Sequence, residues 1–194
     1  MSLWTDPTDQ HAAPVADRAR AAHETRTGHA PAHAASAPAT WILAGENVDH
    51  FGGATLIGLS SLRTGVAVSP RDDHQLVFSA SAPASEPVVA SAPLGDPAGA
   101  DHPLAKRWGG LVHQLIQRQV LSRDTTGLDV TVVSDIPLGA GLGALWAADA
   151  AMCLALAAGH AELNEAPFRA RLADIASQAV ETYSELTGLR SRHT

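Results

Sequence analysis

Asp135-Ile136-Pro137-Leu138-Gly139-Ala140-Gly141-Leu142-Gly143-Ala144 follows a strand-like run, Leu128 to Val133, and opens a buried-helix pattern that continues to about Ala158 before Gly159. A glycine-rich turn between a strand and a helix can cradle phosphate. Glycine permits sharp turns and close backbone approach, and a helix start presents unpaired N–H groups to an anion. The same turn can be purely architectural, because tight turns call for glycine with or without a ligand. In both cases it fixes a strand–loop–helix unit from which the other elements can be placed.

Upstream, Leu104 to Leu121 has helical periodicity, with Trp108, Leu111, Leu115 and Ile116 on its apolar side. Thr40 to Ala44, Ala54 to Leu59, Gly65 to Ser69 and Gln75 to Ser79 read as short strands, the last two joined by a turn over Pro70 to His74. Residues 80–103, full of Ala, Pro, Ser and Gly, read as loop, and Phe168 to Leu186 as a second amphipathic helix. Residues 1–36 form a polar N-terminal segment in which Asp17 to Arg26 can make a short helix. His11, His23, His29 and His33 match no common metal spacing and are expected on a solvated surface. Strands followed by helices give an α+β layered domain.

The chain has 194 residues, 45% of them hydrophobic, which suits one domain with a real core. A net charge of −7 without a basic stripe argues against nucleic acid or an acidic membrane as partner. Lys106 is the only lysine, so a Gly-Lys-Ser/Thr phosphate grip is absent. Cys153, the single cysteine, lies in an apolar helical run and reads as core filler. No apolar stretch reads as a secretory leader or membrane span, since Leu142 to Ala158 is broken by Asp149. A cytoplasmic protein is expected.

Two separated segments resemble one family. Ala37-Pro38-Ala39-Thr40-Trp41-Ile42-Leu43-Ala44-Gly45-Glu46-Asn47-Val48-Asp49-His50-Phe51-Gly52-Gly53 resembles the galactokinase signature A-P-G-R-V-N-L-I-G-E-H-T-D-Y-N-G-G. Pro137 to Ala147 resembles the second motif of the GHMP kinases, P-x-G-[SA]-G-L-S-S-S-A-A, and Val66 to Asp73 resembles the galactokinase strand and turn after the first motif. The resemblance implies a GHMP-kinase N-terminal domain of the ribosomal-protein-S5-like kind over 37–194, with the sugar motif at 37–53 and the phosphate loop at 137–147. Family members continue into a second domain carrying a third glycine motif, which this chain lacks. The implied ligands are a galactose-like sugar, ATP and Mg²⁺.

Position by position, the resemblance places Glu46, Asn47 and Asp49 on the sugar hydroxyls. Asn47 stands where the family has histidine. A fixed carboxylate pair can read several hydroxyls at once; its alternative is a turn cap beside Gly52-Gly53. Gly139, Ala140, Gly141, Leu142, Gly143 and Ala144 would hold the nucleotide phosphates. Gly143, Ala144 and Leu145 replace the family's three serines, so no hydroxyl remains there for Mg²⁺ or phosphate. Trp146 replaces a small residue right after the loop and reads as core; its alternative is to fill space that a nucleotide needs. Thr40 stands at the family's arginine and supplies no cation. On the last helix, Gln178 and Glu181 match the family's Q-x-x-E, which makes Glu181 the metal position; its alternative is a solvated helix face. The same register puts Arg190 at a sugar-contacting glycine and His193 at the catalytic aspartate, and no Asp or Glu follows Glu185. A degenerate site is the expectation. An active galactokinase, with His193 as base for transfer of the γ-phosphate to galactose O1, is the alternative.

Overall fold

The computed structural model describes residues 13–45, 48 and 52–184. Its elements are α1 (Val15–Thr27), β1 (His33–Ala44), β2 (Leu56–Pro70), β3 (Gln75–Ser81), β4 (Val88–Pro93), α2 (Pro103–Gln117), β5 (Leu128–Ser134), α3 (Ala144–Leu156) and α4 (Ala166–Tyr183). The sheet runs in the order β1-β2-β5-β3-β4. β1/β2, β2/β5 and β3/β4 are antiparallel, and β3 runs parallel to β5. This mixed sheet with helices is the expected α+β class.

Alternation along β2 sets the layers. Val66 and Val68 point into the main core with Leu76, Phe78, Val130, Trp108, Leu111 and Met152. Ser69, the residue after Val68, points the opposite way and reaches the helix on the other face, α1. On the core side, α2 buries Trp108, Leu111, Val112 and Leu115, as its periodicity predicts. α4 buries Leu172, Ile175, Ala176, Ala179 and Val180.

α1 is largely polar and presents Val15, Ala19 and His23 to the sheet at a spacing of four residues. Gly65 makes this approach possible, because a Cβ there would lie 2.5 Å from the Val15 carbonyl oxygen. His23 is therefore not on a solvated surface but fully buried. Its Nδ1 meets Thr131 Oγ1 at 3.0 Å and its Nε2 meets Ser69 Oγ at 2.8 Å. Arg26 and Arg71 grip Asp129 from either side at 2.8 and 2.7 Å. Burial works against the Asp129 charge, but the two arginines hold its carboxyl below the ordinary value.

Three further sequence expectations change. The two short strands over 54–69 are one strand, β2, whose outer part pairs with β1 alone. Residues 80–103 are not simply loop: they include β4 and a short 3-10 turn, Pro97–Gly99. β1 begins at His33, so residues 33–36 belong to the sheet rather than to a separate polar segment. At the far end of the β1–β2 pair Trp41, Leu43, Leu56 and Leu59 are exposed. Among the described residues no helix is long and apolar enough to cross a membrane.

Candidate functional site

The glycine loop is held from below and from both sides. Ile136 is fully buried in a small cluster with Ala39 and Ala147. The Asp135 N–H donates to the Arg63 carbonyl at 2.9 Å, and the Ile136 N–H to Ser134 Oγ at 3.0 Å. Arg18 of α1 bonds both oxygens of Asp135, at 2.6 and 2.7 Å. The loop thus leaves β5 from a fixed point.

Gly139, Gly141 and Gly143 have φ of +75°, +75° and +67°, a region that penalises any side chain. Gly139 and Gly141 face open space, with nothing within 4 Å of an added Cβ. Gly143 caps α3 without a side-chain hydrogen bond, so no capping side chain covers the N–H groups of that helix's first turn.

The Thr40 N–H donates to the Leu142 carbonyl at 3.1 Å. This main-chain bond joins the strand of the first motif to the loop of the second across about a hundred residues of sequence. It places Thr40 at the glycine loop. Glu46, Asn47, Asp49 and His193 lie outside the described residues.

Beside the loop is a cavity of about 430 Å³, walled by Leu138, Gly139, Ala144, Leu145, Trp108 and Val88. Thr64, Ser85 and Glu86 also line it, and Thr64 Oγ1 bonds Ser134 Oγ at 2.8 Å. Its size and apolar walls suit a flat aromatic group, with the loop donors at one end for an anion. Of the described charged residues only Glu86 lines it. Glu86 and Val88 were hidden in the stretch expected to be loop, where no motif marks them.

Trp146 does not line this cavity. It is half-buried, with the Arg107 guanidinium 5.4 Å from its ring centroid. Beneath it, Arg107 makes two bonds to Asp149, at 3.2 and 2.5 Å, and Trp108 Nε1 donates to the same carboxylate at 3.1 Å. A lone aspartate in an otherwise apolar helix was the sequence signal for this network. Cys153 is buried, as expected of core filler, and burial pushes its thiol well above the ordinary value.

The residues present fit a nucleotide better than a metal. Loop donors and the adjoining cavity can take phosphate and base. Glu181 is exposed on α4, and among the described residues no three of His, Cys, Asp and Glu come together to hold a metal ion.

Residues 21–70 match the family model of the galactokinase galactose-binding signature. The structure of Lactococcus lactis galactokinase complexed with galactose superimposes with a TM-score of 0.70 at 14% identity, covering 93% of this chain and 45% of that one. The domain is galactokinase-like. Its fold is that of a GHMP-kinase N-terminal domain, shared also with Methanococcus jannaschii mevalonate kinase (TM-score 0.53, 13% identity, 77% of this chain and 46% of that one). A mevalonate diphosphate decarboxylase from Legionella pneumophila has it too (TM-score 0.51, 16% identity, 78% and 47%). One scaffold thus carries different chemistries, and activity must be argued from the site. The galactokinase-like chain spans about half the length of these structures. No curated protein matches it in sequence.

Proposed function

We propose that this domain is the hexose- and nucleotide-binding half of a galactokinase-type protein whose transfer chemistry is degenerate. The supporting observation is the Thr40 N–H to Leu142 carbonyl bond, which sets the strand leading into the sugar signature against the glycine loop. A sugar held by Glu46, Asn47 and Asp49 would then approach phosphate held by Gly139 to Ala144. ATP would place its base in the apolar cavity and its phosphates on the loop N–H groups.

Binding and turnover separate at this point. In the family the transferring phosphoryl group is stabilised by a cation, a metal-positioning hydroxyl and an aspartate. Here those positions are Thr40, the run Gly143-Ala144-Leu145, and His193. Glu181 keeps the metal position that the family implies. Electrostatic stabilisation is usually the largest catalytic contribution, so losing all three removes most of the rate while leaving the sugar contacts.

Isothermal titration of the full chain with galactose tests the binding claim. Galactose should bind, and Asp49→Ala should abolish the heat; equal heats for both proteins would end the sugar assignment. Fusing the chain to a C-terminal kinase half tests degeneracy. Galactose-dependent ADP release at kinase-like rates, roughly 1–100 s⁻¹, would overturn degeneracy in favour of the active reading, with His193 or a residue of the C-terminal half doing the chemistry.

A further inference from the structure

A second cavity, about 450 Å³, lies on the other flank of α3. Ala150, Cys153 and Leu154 form its α3 wall, whereas Ala144, Leu145 and Ala148 line the cavity at the glycine loop. At a hundred degrees per residue these two sets point to nearly opposite sides of the helix. No described residue lines both cavities. The second one opens between the edge strand β1, at Ser36 to Pro38, and α4, at Ala170 and Ala173.

Among the described residues its only charged lining residues are Arg63 and Arg169. Arg18, Arg26, Arg71 and Arg107 are each paired with a carboxylate. Arg63 and Arg169 are fixed instead by neutral acceptors. Arg63 donates through Nε to Ser36 Oγ and through Nη2 to the Ser36 carbonyl, both at 3.1 Å. Arg169 donates through Nε to the Leu163 carbonyl and through Nη2 to Asn164 Oδ1, both at 3.0 Å. Among the described residues each guanidinium is held in orientation without neutralisation, and each keeps Nη1 uncommitted. In a chain of net charge −7, two oriented cations with no counter-ion among the described residues, around one apolar cavity, form a receptor for an anion with an apolar body.

We propose that this cavity binds an amphipathic monoanion, a carboxylate or phosphate head on a short alkyl or aryl body. The head sits on Arg63 and Arg169, and the body lies along Leu154 and the alanines of α3 and α4. A free phosphate lacks the body and an acidic peptide has too much backbone to bury here, so the small amphiphile is favoured.

The test is calorimetric titration of the full chain with octanoate, octyl phosphate, octanol and acetate. Octanoate or octyl phosphate should bind, and the better of the two identifies the head group. Octanol and acetate should bind at least about tenfold more weakly, the equivalent of one charge-assisted contact. Arg63→Gln/Arg169→Gln should weaken the anion by about tenfold or more. Ala170→Trp, which fills the mouth from the exposed face of α4, should abolish binding with the melting curve unchanged. Equal affinity for octanoate and octanol, an unaffected double variant, or no binding of either anion would each overturn the proposal. If Ala170→Trp fails to fold, the double arginine variant alone decides.

Discussion

Removing the Asp149 side chain should damage this domain more than the change of a single residue suggests. Asp149 and Arg107 are 1% and 2% exposed, so neither charge can turn to water. Asp149→Ala leaves the Arg107 guanidinium buried without its carboxylate, and the Trp108 N–H without its acceptor. Breaking one side of a buried ion pair typically costs about 3–5 kcal/mol, a large part of the roughly 5–15 kcal/mol that holds a domain folded. For a domain of this size, that corresponds to a melting point lower by about 6–20 °C. Replacing both partners, Arg107→Met with Asp149→Leu, removes the charges together and should recover most of the loss. Urea denaturation of wild type, Asp149→Ala and the double variant gives the three stabilities. A loss under about 1 kcal/mol for Asp149→Ala, or a double variant worse than the single one, would refute the claim that this pair is costly to break because it is buried.

Three further outcomes are expected. Burial first, and Arg26 second, hold the His23 imidazole below its ordinary value of 6.5. The unfolded chain therefore takes up the proton first, and stability should fall as pH drops below 6.5 toward the lowered folded value; urea melts at stepped pH should show a flatter slope for His23→Gln. Gly65→Ala drives a methyl against the Val15 carbonyl and should loosen α1, so trypsin should cut at Arg18 and Arg20 faster than in wild type while β5 amides stay protected. ATP should bind weakly and with less than about twofold dependence on Mg²⁺, because two missing charge-assisted contacts at about 1.5–3 kcal/mol each cost well over tenfold; micromolar, Mg²⁺-dependent affinity by titration would contradict this.

The helices facing the core were legible because their apolar residues recur at helical spacing and are large: Trp108, Leu111 and Leu115 on α2 are the clearest case. β4 was not, because what it buries is Ala90 and Ala92, too small to stand out among the surrounding alanines and prolines. β2 looked broken at Ser60-Ser61 because strand polarity reports burial, and that part of the strand has a neighbour on one side only. His23 misled in the opposite direction, since burial there is satisfied by two hydroxyls rather than by apolar packing. At the site, the glycine loop declared itself through composition. The bond from Thr40 to Leu142 left no mark, because a main-chain contact makes no demand on residue type.

That last property has an evolutionary consequence. Any residue except proline can donate the N–H at position 40, so this attachment of strand to loop does not depend on which side chain the position carries. A lineage could exchange a cation for a hydroxyl there and keep the same backbone seam. Chemistry and architecture can therefore drift apart at this point, and the exchange is reversible in principle: Thr40→Arg could restore a charge to a scaffold whose main-chain seam never had to change.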